Sequence, residues 1–236
     1  KIDSSKTTEL NFKGYTGTIT SSKVTHSDRL KYDRNLPFTK KVAYQNYYLP
    51  DKKIRIPESY IVPKGWWRIV ELLKLNQIEM VPIKKDTMIE ATVYKIENFQ
   101  TVQNPYEGHY LHYNTQVSSK KERVKVSAGD YKITTQQEGV RYLLETLEPS
   151  ATDSFFNWNF FDTILQQKEG FSPYVWEDKA FELLEKNPEL QKEFERKKTK
   201  DPLFAKNGYE QLDWLHKQSE YYEKAHLRYP IVKIGD

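Results

Sequence analysis

The spacing of apolar side chains changes period after about residue 137. Before that point short runs alternate apolar and polar, the period-two pattern of a half-buried strand. Ile89, Ala91 and Val93 alternate with Glu90, Thr92 and Tyr94, which predicts a strand over 88–96. Val124 and Val126, a turn at Ala128-Gly129-Asp130, then Tyr131 and Ile133 predict a hairpin over 124–135. Residues 78–83 read as a further strand, and Ile54, Ile56, Tyr60 and Val62 as an edge strand interrupted by Pro57. Residues 11–24, with Gly14, Gly17 and many Thr, read as short strands or an exposed loop, and 29–57 as irregular. One helix interrupts this region near 64–76: Trp66, Ile69, Val70, Leu72 and Leu73 give it an apolar face, and Asn76 ends it.

After the change the pattern is helical. The densest apolar stretch is Arg141–Leu165, RYLLETLEPSATDSFFNWNFFDTIL, divided at Pro149–Asp153. Its first part has strand-like apolar content, while 139–147 also has the spacing of a short helix. Asp153 is a candidate N-cap for an aromatic helix over 154–165. Trp176, Ala180, Leu183 and Leu184 share one helix face, and Asn187-Pro188 and Asp201-Pro202 repeat a cap followed by proline at the first helical position. A last long helix is expected over 208–224, and Ile231–Ile234 suits a terminal strand. The expectation is an α+β fold: a strand-rich part, sheet or sandwich-like, over 1–137, and a helical part over 138–236 packed against it. Residues 141–165 join the two, and the whole is expected to be one compact unit. Leu144, Leu147, Phe156, Trp158, Phe160 and Phe161 form the expected seam, with packing rather than chemistry as their role.

Composition narrows the function classes. The 236 residues carry 37 Lys and Arg against 33 Asp and Glu, a net charge of +4, in mixed order. That is a solvated surface rather than a phosphate-binding stripe, which argues against nucleic acid. The absence of Cys excludes disulfides, thiolate catalysis and Cys-based zinc sites. No apolar run approaches the roughly 20 residues that span a membrane, and no signal peptide is visible. The chain begins with Lys rather than Met, so it reads as a piece of a longer protein.

Candidate chemistry is sparse. The one tight constellation among five His is Tyr106-Glu107-Gly108-His109-Tyr110-Leu111-His112. On a helix, His109 and His112 would share a face and hold a metal with Glu107 as third ligand or base. Gly108 and Asn104-Pro105 argue against a helix, and on a strand the two His point to opposite faces. The plainer reading is a loop whose Glu and His hold each other or the backbone. There is no G-x-S-x-G elbow, G-x-G-x-x-G or Walker loop. Glu145 and Glu148 lie one helical turn apart beside the aromatic stretch, a spacing usually met on solvated or capping carboxylates. Tyr106, Glu107, His109, Trp66 and Trp67 make up a possible binding surface for sugar or peptide.

Several blocks carry a family resemblance. LLETLEP (143–149), DSF (153–155) and WNFFD (158–162), with YEGH (106–109), HLRYP (226–230) and the proline-bounded IPESYIVP (56–63), resemble the region that follows the catalytic domain in large bacterial zinc carboxypeptidases, relatives of carboxypeptidase A. The resemblance covers the chain from about residue 40 to its end. The family's H-x-x-E zinc motif is absent: the residues three after each His are Arg29, His112, Thr115, Ser219 and Tyr229. The resemblance therefore implies a non-catalytic accessory domain with no catalytic residue and no cofactor of its own. The parent's peptidase domain would be its partner and would hold the zinc. Peptides would be the substrate, and the location would be periplasmic or extracellular. Two alternatives stand beside this: a glycan- or peptide-binding module using surface aromatics, and an independent metal hydrolase at Glu107, His109 and His112.

Overall fold

The computed structural model describes residues 1–50 and 52–235. The chain divides into two compact units, Lys1–Arg55 and Ile56–Asp236.

The first unit is a long antiparallel ribbon of β1 (Thr8–Ser21) and β2 (Asp28–Tyr44). Beyond the strands, Ile2 pairs with Tyr48. The irregular segment expected over 29–57 is thus corrected: most of its first half is strand. The misleading signal is Pro37. It sits opposite Tyr15, where the register shifts, on a strand with a free edge, and there a missing N–H is tolerated. Gly14 lies beneath the Phe38 ring, where a Cβ would come within 2.9 Å of the ring, so the aromatic replaces the absent side chain. Among the described residues of this unit only Asp3 is buried.

The ribbon's apolar side changes along its length. Near its base, Leu10, Phe12, Phe38, Val42 and Tyr44 share one face by register. Beyond the shift at Tyr15/Thr16, Ile19, Leu30 and Tyr32 lie on the opposite face, and Thr18, Lys31, Thr20 and Arg29 continue the first. Leu10, Phe12, Ile19, Leu30, Tyr32, Phe38 and Tyr44 are all exposed.

The second unit is α+β. It contains β3 (Ser59–Val62), α1 (Trp67–Leu75), β4 (Val81–Pro82), β5 (Thr87–Thr101), β6 (His112–Val126), β7 (Tyr131–Thr134) and α2 (Val140–Leu147). After these come α3 (Pro173–Lys186), α4 (Pro188–Lys200), α5 (Pro202–Lys206), α6 (Gly208–Lys217) and β8 (Arg228–Ile234). The six strands form one antiparallel sheet in the order β4-β7-β3-β8-β5-β6. β3 is central, between β7 and β8, not an edge strand; Pro57 precedes it rather than interrupting it.

β6 and β7 are joined by a turn but do not pair, so the hairpin expected over 124–135 is corrected. The Asp130 N–H donates to the Ser127 carbonyl at 3.0 Å. A turn of this kind spans less than about 7 Å, whereas two strands four places apart in a flat sheet are about 19 Å apart. The sheet is therefore curled, and the Ser127–Asp130 turn closes the curl. The buried Asp130 carboxylate holds it by accepting from the backbone N–H groups of Lys64 (3.0 Å) and Ser127 (2.8 Å). The enclosed face carries the small and β-branched Ile61, Ala91, Val93, Val126 and Val232, all buried.

The other face of the sheet takes the helices. Ile69, Val70 and Leu73 of α1, Leu143 and Leu147 of α2, and Phe155, Phe156 and Phe161 pack with Tyr60, Val62, Ile96, Ile133, Tyr229 and Ile231. Full burial of each large side chain is worth about 1.5–3 kcal/mol. α3 to α6 form a separate cluster around Trp176, Ala180, Leu190, Phe194, Phe204 and Leu215. Asn187 and Asp201 cap α4 and α5 through their side chains, as their prolines predict. The last helix ends at Lys217, shorter than the pattern suggests.

The aromatic helix expected over 154–165 is replaced by successive turns and a short 3-10 turn at Asp162–Leu165. Two polar side chains take the backbone groups a helix would use. The buried Ser154 hydroxyl accepts from the Asn157 N–H (3.0 Å), and the Asn157 amide donates to the Ala151 carbonyl (2.8 Å). Asn159 then adopts a positive φ of 65°, which ends any helical course.

One buried carboxylate ties this layer to the sheet. Glu148, immediately after α2, accepts the Tyr60 hydroxyl (2.6 Å) from β3 and the Tyr94 hydroxyl (2.7 Å) from β5. The Lys233 ammonium of β8 donates to the Tyr94 hydroxyl (2.7 Å) and lies 3.8 Å from the carboxylate. Burial, followed by the charge of Glu148, pushes the Tyr60 phenol far above its ordinary range, so it remains a donor. Glu148→Gln removes the charge that faces the buried Lys233 ammonium and the acceptor shared by two buried phenols, and is expected to lower the unfolding free energy by about 3–5 kcal/mol in urea titration. The double variant Glu148→Gln/Lys233→Met should recover part of that loss. A Glu148→Gln cost below about 0.5 kcal/mol would remove the carboxylate's tying role.

Candidate functional site

The Tyr106–His112 constellation lies at the tip of the β5–β6 hairpin. Tyr106 and His109 exchange N–H to carbonyl bonds, each 2.9 Å. The two residues between them, Glu107 and Gly108, both have positive φ, 50° and 79°. That is the two-residue turn whose backbone twist matches the strands it joins. The segment is thus neither helix nor simple strand, and Glu107 is exposed at the turn.

The two His are used differently. His112 is buried, with its Nδ1 2.9 Å from the Thr101 hydroxyl and its Nε2 3.1 Å from Asp162 Oδ1. The Asn159 amide nitrogen also lies 3.2 Å from Nε2, so both ring nitrogens are engaged. The ring also lies against Phe99 and Phe156, with centroids 4.5 and 5.2 Å away. His112 therefore fastens the aromatic turns to the hairpin. His109 instead stacks on Phe160 (5.9 Å) and meets the edge of Trp158 (5.5 Å), with Tyr106 6.3 Å from Trp158. Among the described residues no three His, Asp or Glu side chains form a group that could hold a metal ion.

The hairpin tip thus carries an aromatic platform. Tyr106 is 59% exposed, and Trp158, Phe160 and His109 are half-buried beside it. Of the seam residues, Leu147, Phe156 and Phe161 are buried and Leu144 is half-buried. The other two candidate tryptophans lie on and just before α1. Trp66 is half-buried with its ring 4.7 Å from Phe161, and Trp67 is 57% exposed with the Arg68 guanidinium over its ring. Glu145 forms an exposed pair with Arg141, while Glu148 is committed to the buried network, so the two carboxylates do not act together.

No family model, no curated protein and no solved structure matches the chain. The chemistry must therefore be read from the geometry. His112 and Glu148 are bound into the fold, and what the tip exposes is aromatic apart from Glu107.

Sequence reasoning passed over the Tyr60–Tyr94–Lys233 contacts to Glu148. The available signal was Lys233, a charge inside the apolar terminal run Ile231–Ile234. His112→Ala should lower stability by about 2–3 kcal/mol through lost packing against Phe99 and Phe156 and the lost bonds to Thr101 and Asp162. Added zinc should leave the melting temperature of the unaltered chain unchanged. A zinc-induced rise that disappears in His112→Ala would overturn the fastening role.

Proposed function

We propose that the chain is a non-catalytic accessory domain of a bacterial zinc metallocarboxypeptidase, one that docks on the peptidase domain and supports or shapes it. The zinc and the catalytic residues belong to that domain, and the setting is the periplasm or the cell exterior. The resemblance of the 141–180 blocks supplies the family. The observation that carries the docking role is the β1–β2 ribbon. A two-stranded ribbon is marginal in water, and this one exposes apolar side chains on both sides, with no buried apolar residue among the described residues of its unit. Such surfaces lower their free energy when another protein covers them. Residues 1–55 carry twelve Lys and Arg against five Asp and Glu, so the charge favours an acidic receiving face.

A second reading is favoured by one specific observation, the exposed Tyr106 ring beside Trp158 at the hairpin tip. A glycan or peptide would stack there, with His109 and Glu107 supplying polar contacts.

The test uses the purified chain, with and without zinc, and the peptidase domain encoded in the same gene. Expected are no release of C-terminal amino acids from peptides by the chain alone and a stable complex with the peptidase domain. That complex should be lost in a Phe12→Ser/Phe38→Ser variant whose β3–β8 sheet remains folded. Zinc-dependent hydrolysis by the chain alone, or no association, contradicts the proposal. Saturable glycan binding abolished by Trp158→Ala, without association, would favour the second reading.

A further inference from the structure

The enclosed face of the curled sheet continues into a cleft of about 500 Å³. Val93, one of the inner cluster, borders it. Register places Lys95 on β5 directly opposite Arg228 on β8, and Lys120 on β6 opposite Val93, all on that same face. The connection from α6 to β8 returns over this region and contributes Lys224, His226 and the Tyr222 ring, whose hydroxyl is bonded to His226 Nδ1.

The charge here is unbalanced. Like charges directly opposite one another across a sheet are destabilising, yet Lys95 and Arg228 are so placed. Among the described residues Glu122 is the one carboxylate in the lining. It pairs with both Arg228 and Lys120. Burial raises its carboxyl, but the hydrogen bonds from those two cations outweigh this and hold it below the ordinary range. Ser118, also in the lining, donates to Glu97. Lys95 and Lys224 have no ion pair among the described residues. Four cations thus face one lining carboxylate. The lysine stems, Val93 and the Tyr222 ring supply apolar wall between the charged heads.

The geometry points to an anion-binding cleft for a small molecule with an oxyanion head, carboxylate or phosphate, on a short apolar body. The head sits between Lys95, Lys224 and Arg228, where it relieves the cross-strand repulsion. The body lies against Val93 and Tyr222. The volume suits a ligand of this size, and the mouth of a curled sheet is a usual place for one. Glu122 holds the Arg228 guanidinium in position, and so acts on the ligand only through it. The site is independent of the docking role, because none of its residues belongs to the ribbon.

The test titrates the full chain at low ionic strength with phenyl phosphate, benzoate and neutral benzyl alcohol, read by calorimetry and backbone amide shifts. Expected are saturable binding of at least one of the two anions, shifts centred on Lys95, Ser119, Lys120 and Arg228, and no binding of benzyl alcohol. Phenyl phosphate against benzoate distinguishes the two heads. Lys95→Gln/Lys224→Gln should weaken binding about tenfold, while Lys192→Gln on α4 leaves it unchanged. Both cleft lysines are exposed, and Lys224→Gln alone is a milder second variant that should weaken binding in the same direction. No saturation by either anion, equal binding of benzyl alcohol, unchanged affinity in the double variant or equal loss in Lys192→Gln would each overturn the assignment.

Discussion

A carboxylate inside a protein costs several kcal/mol unless charge and hydrogen bonds compensate it, and Glu148 is compensated from three strands at once. Tyr60 reaches it from β3, Tyr94 from β5 and Lys233 from β8. These strands are distant in sequence and adjacent in the sheet, so the carboxylate is satisfied only when the sheet is assembled in its native order. β8, the last strand, is inserted at the centre. The same network sets where α2 ends, and therefore where the Pro149–Phe161 turns begin. From those turns, Asn157 and Asp162 reach the hairpin at His112, and Trp158 and Phe160 complete the platform at its tip.

The two units stand in physical contrast. The second has an inner cluster, an outer cluster and a helical cluster, each with fully or nearly fully buried side chains. The first has strand pairing and cross-strand covering of Gly14, but almost no burial. Its apolar side chains shift faces at Tyr15/Thr16. A flat surface would cover one patch and leave the other wet. A partner protein that clasps the ribbon would cover both, which is why the docking reading is preferred to adhesion on a plane.

Local signals carried much of the fold. The 3.6 period around Ile69–Leu73 placed α1, the alternation at Ile89–Val93 placed β5, and Asn187-Pro188 and Asp201-Pro202 placed two helix starts, because each depends on neighbours in sequence. What escaped depends on distant partners. Val124–Ile133 has hairpin spacing, but whether β6 pairs with β7 is decided by β3, β8 and β5 coming between them. The stretch 154–165 has helix-like apolar content, but the Asn157 side chain is held by the Thr115 hydroxyl, 42 residues away, and from there its bond to Ala151 and that of Ser154 pre-empt the helix. At the candidate site, the Glu107-Gly108 turn and the burial of His112 follow from hairpin register and from Asp162, 50 residues away. The cleft was not legible at all, since Lys95, Lys120, Lys224 and Arg228 look in sequence like ordinary solvated charges.

The central claim is that one unit is firmly cored and tied at Glu148, while the ribbon of the other is only marginally stable by itself. Native-state amide hydrogen exchange on the isolated chain tests it most directly. The account predicts that the amides of Tyr60, Val93 and Val232 exchange only through global unfolding, while those of Leu10, Phe12, Lys31 and Lys40 exchange through local opening, faster by at least about a thousandfold. Ribbon amides protected as strongly as the β3–β8–β5 amides in the isolated chain would contradict it.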